Sequence, residues 1–333
     1  MATPRGQHRK LIGFEMSLQN NHDPRWVLLL VGPTGVGKSR LAIELAKKID
    51  GEIISADSRN LYRGMDIGTA KPTLEERLEV AHHLIDIATP DDSWSLARYL
   101  DETVKIISDI QARNRLAIIT GGTGQYYRAL MEGWQIPALA PNEALRSALL
   151  EWGTEIGKEA LHARLAMIDP QAAGEIDPSN LRRTIRAIEV IFMTGERFSV
   201  LRRKSGPLFN YYVIGLKMPR EDLYQRVDAR IEDMISRGLT EEVQRLLDQG
   251  YSSSLPSYSA IGYREIAQHL RGEISLEQAK GLMKKNTRQL IRRQANWFKD
   301  SDPEIHWYEA EPFPAEKILT DLLAAGILGG SNG

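Results

Sequence analysis

Short apolar runs alternate with amphipathic stretches along this chain. The first run, Trp26–Val31, is followed by a glycine-rich segment and by Arg40–Ile49, whose apolar positions recur with helical spacing up to Gly51. Further β-rich runs are Glu52–Ala56, Leu116–Thr120 and Tyr211–Leu216. Strands that alternate with helices predict an α/β fold, with a mostly parallel sheet flanked by helices on both faces.

The pattern changes between the last two of these runs. From Asn142 to about Arg203 it is helical and contains no β-rich run. A helical block between two strands of one sheet indicates an inserted all-helical domain. We therefore assign residues 26–140 and 204–325 to an α/β core with C-terminal helices, and residues 141–203 to a helical insertion domain.

The last third of the chain is predicted to be mainly helical. The expected helices cover residues 221–236, 241–248 and 275–298. Ser275 and Gln278 fit a capping box at the start of the last one. Trp297 and Phe298 at its end have two interpretations, as aromatic residues that stack on bases or as core residues.

The first 25 residues are polar and mildly basic and lack the apolar stretch of a signal peptide. We interpret residues 1–25 as a disordered leader. An alternative is that translation starts at Met16, which an intact mass including Ala2 would exclude. No apolar run approaches the ~18 residues of a membrane span. We therefore expect a cytoplasmic protein that does not bind membranes.

Composition limits the possible chemistry. The 333 residues include no cysteine, which excludes disulfides, a cysteine nucleophile, iron–sulfur clusters and cysteine-bound zinc. The formal net charge is -1, so binding of nucleic acid would need a local basic patch. His82 and His83 precede an apolar run, and we interpret them as a loop that leads into a strand.

Positive charge is concentrated in two places. In the insertion domain, one helical turn carries Arg182, Arg183 and Arg186. In the last helix, Lys284, Arg288 and Arg292 share one face, and no acidic residue stands between Glu277 and Asp300. Each cluster is interpreted either as a solvated helix face or as a surface that follows the phosphates of a nucleic acid.

Directly after the first strand, residues 32–39 read Gly-Pro-Thr-Gly-Val-Gly-Lys-Ser. This is the pattern G-x-x-x-x-G-K-[ST] of P-loop, ATP-binding and other nucleotide-binding proteins, in which backbone N–H groups and a helix N-terminus surround an anion. Lys38 would add a cation, and the Ser39 hydroxyl is a candidate Mg²⁺ ligand. The sequence predicts that a di- or triphosphate is bound by Gly32, Pro33, Thr34, Gly35, Val36, Gly37, Lys38 and Ser39.

Asp57 follows the second predicted strand. It has three interpretations: a kinase residue that binds Mg²⁺ or orients an acceptor hydroxyl, a general base, or a helix cap. No strand ends in a clear Walker-B aspartate, since Leu116–Thr120 is followed by Gly-Gly-Thr. Because ligands gather at the carboxyl ends of parallel strands, Asp57, Thr123 and the glycine-rich loop should converge on one cleft.

Several segments resemble the tRNA dimethylallyltransferase (IPP transferase) family. The most specific is Ile-Ile-Ser-Ala-Asp-Ser-Arg-Asn-Leu-Tyr-Arg-Gly-Met-Asp-Ile-Gly-Thr-Ala-Lys-Pro at 53–72, which P-loop kinases do not share. The other similar segments are residues 32–39, 121–126, 186–190, 260–265 and 287–299. The resemblance implies transfer of a dimethylallyl group from dimethylallyl diphosphate to N6 of the adenine 3′-adjacent to the anticodon of tRNA (position 37), with Mg²⁺ as cofactor and pyrophosphate as product.

The resemblance also implies roles for single residues. Thr34 would touch the junction between diphosphate and acceptor, Asp57 would be the base on the N6 amine, and Arg230 would lie near the diphosphate. The expected contacts to the tRNA anticodon stem-loop are Asp57, Ser58, Arg59, Asn60, Thr123 and Arg146, to which the basic clusters add Arg182, Arg186, Arg288 and Arg292.

This chain departs from the family pattern at Gly35-Val36, at Ser39 and at the segment starting with Asn180. Three rival functions stay open: prenyl transfer to free adenine nucleotides, a small-molecule kinase, and a non-catalytic RNA-binding module. The insertion domain and the basic last helix argue against the first rival, because a mononucleotide needs neither. We expect the protein to act as a monomer.

Overall fold

The computed structural model describes residues 26–137 and 139–328; the predicted leader, with Met16, lies outside the described residues. The strands are β1 (Trp26–Val31), β2 (Gly51–Ser55), β3 (His82–His83), β4 (Leu116–Thr120), β5 (Trp134–Gln135), β6 (Arg203–Lys204), β7 (Asn210–Lys217) and β8 (Ile305–Glu309). The helices are α1 (Lys38–Ile49), α2 (Leu74–Glu79), α3 (Leu96–Ala112), α4 (Gly124–Met131), α5 (Glu143–Ile156), α6 (Lys158–Ile168), α7 (Pro170–Glu175), α8 (Leu181–Thr194), α9 (Phe198–Leu201), α10 (Arg220–Ser236), α11 (Leu239–Asp248), α12 (Tyr263–Leu270), α13 (Leu276–Gln294) and α14 (Ala315–Ala324). None of these helices is long and apolar enough to cross a membrane.

β1 lies inside a six-stranded sheet with the order β3-β2-β4-β1-β7-β8, in which every pair is parallel. In β1, Leu28 is paired with Ile118 of β4 on one side and Tyr212 of β7 on the other. Because helices cover both faces of a parallel sheet, its central strands are continuous apolar runs. The prediction of a mostly parallel sheet flanked by helices is confirmed.

The two faces of the sheet carry separate hydrophobic cores. Leu28 and Leu30 belong to the core that contains α1 and α14, whereas Val27 and Leu29 belong to the core that contains α3 and α4. This alternation is the two-residue period of a strand. A third cluster packs α10, α11, α12 and α13 against the chain that follows β2. These last helices therefore cover the carboxyl edge of the sheet, where the loops lie.

Some local features differ from the sequence prediction. α1 ends at Ile49 as predicted, but Asp50 takes the left-handed conformation (φ +49°) and Gly51 begins β2. His82 and His83 form an edge strand paired with Ile53 and Ile54, not a loop. The last long helix ends at Gln294 rather than at Phe298.

β8 has no counterpart in the sequence prediction. Its five residues alternate only partly between buried and exposed positions, and its central residue is a half-buried Trp307. The strand pairs with β7 from Val213–Ile305 to Lys217–Glu309 and closes one edge of the sheet. Such an edge strand has a weak sequence pattern because one of its sides is solvated.

Residues 143–201 form only helices, which pack around a core containing Leu161, Leu165 and Ile188. The chain enters and leaves this block through a short antiparallel ladder, in which Trp134 pairs with Lys204. The ladder was not predicted. It ties together the two connections between the helical block and the sheet. The exact domain limits given above stay a prediction.

Candidate active site

The glycine-rich loop lies at the carboxyl end of β1. Gly32, Gly35 and Gly37 have φ angles of +135°, +88° and +109°, which L side chains rarely adopt. α1 starts at Lys38 without a side-chain cap and without an acidic residue in its first turn. The first N–H groups of the helix therefore face the loop with no protein anion to receive them, an arrangement that favours a bound phosphate.

Lys38 is buried at the start of α1. Its Nζ donates to the carbonyl oxygens of Gly32 and Pro33, each at 2.9 Å. Burial lowers the pKa of Lys38 from 10.5 to about 8; the charge of Asp57 opposes this shift, and Arg230 adds to it. Neutral oxygens alone hold the ammonium group in place, so an anion in the loop would favour its charged form.

Arg230 projects from α10 into the same region. Burial is the main cause that lowers its pKa, while the charge of Asp57 opposes the shift. Within residues 26–137 and 139–328 its guanidinium forms no hydrogen bond or ion pair. Arg230 is half-buried, so its charge has lost part of its hydration, and a ligand that supplies the counter-charge would stabilise it. The predicted position of Arg230 beside a bound phosphate is compatible with this geometry.

Asp57 follows β2 and is half-buried. Its Oδ1 accepts the backbone N–H of Arg59 at 2.9 Å, so one oxygen orders a turn. The helix-cap interpretation is wrong, because the next helix begins at Leu74 with Thr73 as its cap. Its Oδ2 lies 3.4 Å from the position that a Cβ on Gly122 would take. The second oxygen is thus directed into the cleft between β2 and β4 and is available for chemistry.

Ser58 and Thr123 meet beside Asp57, as the sequence predicts for strand-end residues. The Ser58 N–H donates to Thr123 Oγ1 at 3.1 Å, and the Thr123 N–H donates to the carbonyl of Ala56 at 3.0 Å. These bonds join the loop after β2 to the loop after β4. The predicted convergence of the glycine-rich loop, Asp57 and Thr123 is therefore present.

The side chains of Arg59 and Asn60 differ in their hydrogen-bond partners within the protein. The Arg59 guanidinium donates to the Pro256 carbonyl at 3.0 Å and to the Ser259 hydroxyl at 2.7 Å. Asn60 Oδ1 is buried without a hydrogen-bond partner. An unpaired buried acceptor is costly. Asn60 Oδ1 therefore still needs a hydrogen-bond donor, whereas the Arg59 guanidinium already has acceptors.

Gln294, the last residue of α13, was not predicted as a site residue. Its Oε1 accepts the Thr34 N–H at 2.8 Å, and its Nε2 donates to Thr34 Oγ1 at 3.1 Å and to the Gly122 carbonyl at 2.9 Å. It thereby links the glycine-rich loop to the loop after β4. The only sequence signal for it is that it lies inside the similar segment 287–299.

Two cavities meet at these residues. The first, of about 370 Å³, is lined by the glycine-rich loop, Ser39 and Arg226. The second, of about 560 Å³, extends from Thr123 to Trp297 and is closed by α10 and α13. The residues that line both cavities are Thr34, Asp57, Thr69, Gly122 and Arg230. A molecule in one cavity would therefore meet a molecule in the other at Asp57 and Thr34.

The arginines predicted to contact tRNA from the helical block mostly have protein partners. Arg146 donates from Nε to both carboxylate oxygens of Glu189 at 3.0 Å, and Arg186 donates to the same carboxylate at 2.7 Å. Glu189 is fully buried, so this pairing holds α5 on α8. Arg182 is exposed and has no partner among the described residues. Contact of these arginines with tRNA stays a prediction.

α13 does not present a free basic face along its whole length. Lys284 donates to Glu232 at 2.6 Å, and Arg288 pairs with Asp228, both on α10. The face does not neutralise itself, as the sequence predicts, but α10 supplies carboxylates that α13 lacks. On α13, the exposed arginines without a carboxylate partner among the described residues are Arg292 and Arg293.

The two aromatic residues after α13 have different surroundings. Phe298 packs edge-on against Tyr127, with 5.4 Å between ring centroids, and belongs to the core of the sheet. Trp297 lines the second cavity and covers Gly124, where an added Cβ would lie 2.3 Å from Trp297 Cγ. The core interpretation is correct for Phe298, and the position of Trp297 is compatible with stacking on a base.

The first cavity offers few protein ligands for a metal ion. Ser39 lines it, and its hydroxyl makes no hydrogen bond in the described part of the chain. No group of three His, Asp or Glu side chains within that part could hold a metal ion. Mg²⁺ prefers oxygen ligands and usually keeps several that do not come from protein. The donor set thus fits Mg²⁺ only if phosphate oxygens supply most of the coordination.

Fold and site together define a class. A glycine-rich loop after a central parallel strand, followed by a lysine at a helix N-terminus, is the phosphate site of P-loop proteins. Here that site opens into a second cavity with a carboxylate, Asp57, at the junction. The molecule is thus a P-loop protein with room for a second substrate.

Comparisons with known proteins give a narrower assignment. The family model described as IPP transferase matches residues 60–301. The tRNA dimethylallyltransferase of Roseiflexus sp. (strain RS-1) is 50% identical over 273 residues, which are 82% of this chain and 90% of that protein. The tRNA dimethylallyltransferase of Thermomicrobium roseum is 49% identical over 283 residues, 85% and 86% of the two chains.

Solved structures agree with this assignment. The full-length tRNA isopentenylpyrophosphate transferase from Bacillus halodurans is 38% identical, with a TM-score of 0.67 over 91% of this chain and 97% of that chain. A eukaryotic dimethylallyltransferase acting on tRNA is 26% identical, with a TM-score of 0.73 over 90% of this chain and 78% of that chain. This chain belongs to the IPP transferase family, and the resemblance found in the sequence is confirmed.

Proposed function

We propose that this enzyme transfers a dimethylallyl group from dimethylallyl diphosphate to N6 of the adenine 3′-adjacent to the anticodon of tRNA. The observation that carries the proposal is the position of Asp57 at the junction of the two cavities. On one side of it lie the buried Lys38 and the half-buried Arg230, two cations without carboxylate partners at hydrogen-bond distance. On the other side lies a cavity bordered by Trp297 and wide enough for a base.

The first cavity suits the leaving group. In the reaction the carbon–oxygen bond of dimethylallyl diphosphate breaks, and both electrons of the bond leave with pyrophosphate. The N–H groups of the glycine-rich loop, Lys38 and Arg230 would stabilise the charge that develops on its oxygens. Donors that are oriented in advance in a water-poor site are the most effective form of such stabilisation.

Asp57 suits the acceptor side. The adenine amine is a weak nucleophile, and the new nitrogen–carbon bond leaves an extra proton on N6. Oδ2 of Asp57 is directed into the cleft and would take that proton, a role worth roughly two to four orders of magnitude in rate. The adenine must leave its stack to reach this position, which costs a few kcal/mol and less in a loop than in a duplex.

Mg²⁺ is part of the proposal. Bound with the diphosphate, it would neutralise charge on the leaving oxygens. Ser39 would be a protein ligand, and the diphosphate would supply further ligands. We also propose that the enzyme works as a monomer in the cytoplasm, with the exposed arginines Arg182, Arg292 and Arg293 beside the phosphates of the anticodon stem-loop.

One assay tests the proposal against its rivals. The purified protein is incubated with Mg²⁺, labelled dimethylallyl diphosphate and either unmodified tRNA or AMP. Label that enters tRNA alone supports the proposal, and omission of Mg²⁺ should strongly reduce it. Label in AMP would assign the enzyme to prenyl transfer on free nucleotides instead. Tight binding of tRNA without any transfer of label would leave a non-catalytic RNA-binding module.

The kinase rival needs its own arm. The same protein is incubated with labelled ATP and a set of small alcohols. Transfer of the terminal phosphate at a rate above that of prenyl transfer would contradict the proposal. We expect none, because the chain belongs to the IPP transferase family and its segment 53–72 is one that P-loop kinases do not share.

A further inference from the structure

Gln294 has a hydrogen-bonding pattern that fixes the orientation of its amide. The backbone N–H of Thr34 can only donate, so the Gln294 atom 2.8 Å from it must be the oxygen. The Gly122 carbonyl can only accept, so the atom 2.9 Å from it must be the nitrogen. These two requirements agree, and the side chain is buried to 6% exposure. The amide therefore has one arrangement.

This arrangement determines the role of the Thr34 hydroxyl. The Gln294 nitrogen lies 3.1 Å from Thr34 Oγ1 and has no lone pair, so the hydroxyl must be the acceptor of that bond. A hydroxyl has one hydrogen to donate, and within residues 26–137 and 139–328 this hydrogen has no acceptor. Thr34 lines both cavities, so an acceptor in the cleft is within its reach.

We propose that Gln294 is a positioning residue, which keeps the Thr34 hydroxyl as a hydrogen-bond donor toward the bridging oxygen of the diphosphate. Without Gln294, the hydroxyl could turn to donate to a nearby carbonyl such as that of Gly122. With it, the donor faces the oxygen on which charge develops as the carbon–oxygen bond breaks. No proton is transferred in this step. The inference rests on the proposed prenyl transfer.

Gln294 also accepts the hydrogen bond of the Thr34 backbone N–H. That N–H group is therefore not part of the phosphate cradle, and Thr34 contributes its side chain instead. A single residue from the end of α13, 260 positions along the chain, sets both properties of this loop position.

The test is a double-mutant cycle on the chemical step. Single-turnover rates of prenyl transfer, at saturating tRNA and dimethylallyl diphosphate, are measured for the wild type, Gln294→Met, Thr34→Val and the double variant. Methionine has a similar length and no amide, and valine keeps the shape of threonine without the hydroxyl. We expect each single change to slow the step about 10²- to 10³-fold, the range seen for loss of one oriented donor.

The double variant decides between positioning and simple structural support. If Gln294 acts through the Thr34 hydroxyl, the double variant should be no more than about twofold slower than Thr34→Val. Equal slowing by Gln294→Met in both backgrounds, or an unchanged rate in Gln294→Met, would overturn the inference. Absence of transfer by the wild type would instead contradict the proposed function.

Two further variants control for folding. Gln289→Met makes the same change on the same helix, at a side chain without a hydrogen bond in the described chain, and should leave the single-turnover rate within twofold. Gln294→Glu keeps the acceptor for the Thr34 N–H, so the loop stays tethered, but its carboxylate cannot donate to the hydroxyl. Its rate per folded molecule, with the folded fraction taken from urea unfolding, should be low at saturating substrate, because the Thr34 hydroxyl would then donate to the carboxylate. A wild-type rate would contradict the inference.

Discussion

Lys38 and Lys71 are both buried to 7% exposure, yet their surroundings are opposite. Lys71 donates to the Tyr62 carbonyl at 2.8 Å and to the carboxylates of Asp66 and Asp86, each at 2.5 Å. Lys38 donates only to two carbonyl oxygens. Lys71 has its counter-charge within the protein. Lys38 has none at hydrogen-bond distance, and burial lowers its pKa.

The same contrast divides the most family-specific segment, 53–72. Its first half contains Asp57 and Asn60, which keep atoms without protein partners in the cleft. In its second half the backbone N–H groups of Asp66, Ile67 and Gly68 all donate to buried Glu242, at 2.8 to 3.2 Å. One sequence motif thus contains a reactive half and a structural half. In the structural half the polar groups have partners within the protein, and in the reactive half some of them do not.

The largest effect is expected from Asp57→Asn, which keeps the acceptor for the Arg59 N–H and removes the base. Turnover should fall by roughly two to four orders of magnitude, with tRNA affinity within about threefold. Asp57 also opposes anion binding, since its charge acts on both Lys38 and Arg230. Pyrophosphate, measured by calorimetry, should therefore bind at least as tightly as to the wild type. Preserved turnover with a large loss of tRNA affinity would contradict the base role.

The comparison of the two lysines predicts a crossed result for Lys38→Met and Lys71→Met. Lys38→Met should lower kcat/KM for dimethylallyl diphosphate by about 10²- to 10³-fold. Its urea midpoint at pH 7 should not fall, because burial of the charged amine opposes folding. Each variant is measured for prenyl transfer and for urea unfolding.

Lys71→Met should do the reverse. It leaves Asp86, a partly buried carboxylate, with Arg77 as its remaining partner. The expected cost is about 3 kcal/mol of unfolding free energy, and the folded fraction should keep a near-normal kcat. Equal losses of activity by both variants without unfolding of Lys71→Met would break the distinction between them.

The pKa of Lys38, about 8 in the free enzyme, predicts a pH dependence of diphosphate binding. Below this pKa the amine is charged and binds the anion without taking up a proton. Above it, binding requires uptake of a proton, so the Kd for pyrophosphate should rise by up to about tenfold per pH unit. Calorimetry in two buffers of different ionisation enthalpy measures the proton uptake.

Lys38→Met provides the control for this titration. Its pyrophosphate affinity should be weak and nearly independent of pH between 7 and about 9.5, where the other candidate cation, an arginine, stays charged. A wild-type Kd that does not change over this interval would show that Lys38 keeps its proton, contrary to the effect of its burial.

The part of the site that the sequence predicts is local. The loop 32–39 follows its strand and precedes its helix directly, and Asp57 and Thr123 follow strands whose carboxyl ends must meet in a parallel sheet. The period of the hydrophobic residues and the residue types in the turns are sufficient to predict such local features. The glycine-rich loop alone is compatible with both phosphoryl transfer and prenyl transfer. The family resemblance indicates prenyl transfer.

The missed features are contacts between distant parts of the chain. Gln294 reaches Thr34 across 260 positions, Arg288 reaches Asp228 across 60, and Arg146 reaches Glu189 across 43. Nothing in the spacing of charges along α13 reveals that α10 neutralises part of its face. The sequence shows where charge is, whereas only packing shows which charges are already paired.

The smallest expected effect concerns the charges on α13 that have no partner within the described chain. Removal of two charges by the double change Arg292→Gln and Arg293→Gln should weaken tRNA binding severalfold. It should also reduce the slope of log Kd against log salt concentration by about 1. The reason is that these guanidiniums have no carboxylate partner in the described chain and would release counterions from RNA phosphates. Binding is measured by titration of labelled tRNA at several salt concentrations.

The matched control removes two charges from the paired part of the same helix, by Lys284→Gln and Arg288→Gln. Because Glu232 and Asp228 already neutralise these side chains, the salt slope should stay within about 0.3 of the wild type. The variant would instead lose some stability, since Arg288 also stacks 5.1 Å from the Tyr224 ring. An equal loss of slope in both double variants would mean that the pairs with α10 open when tRNA binds. The whole face of α13 would then contact RNA, as its sequence alone suggests.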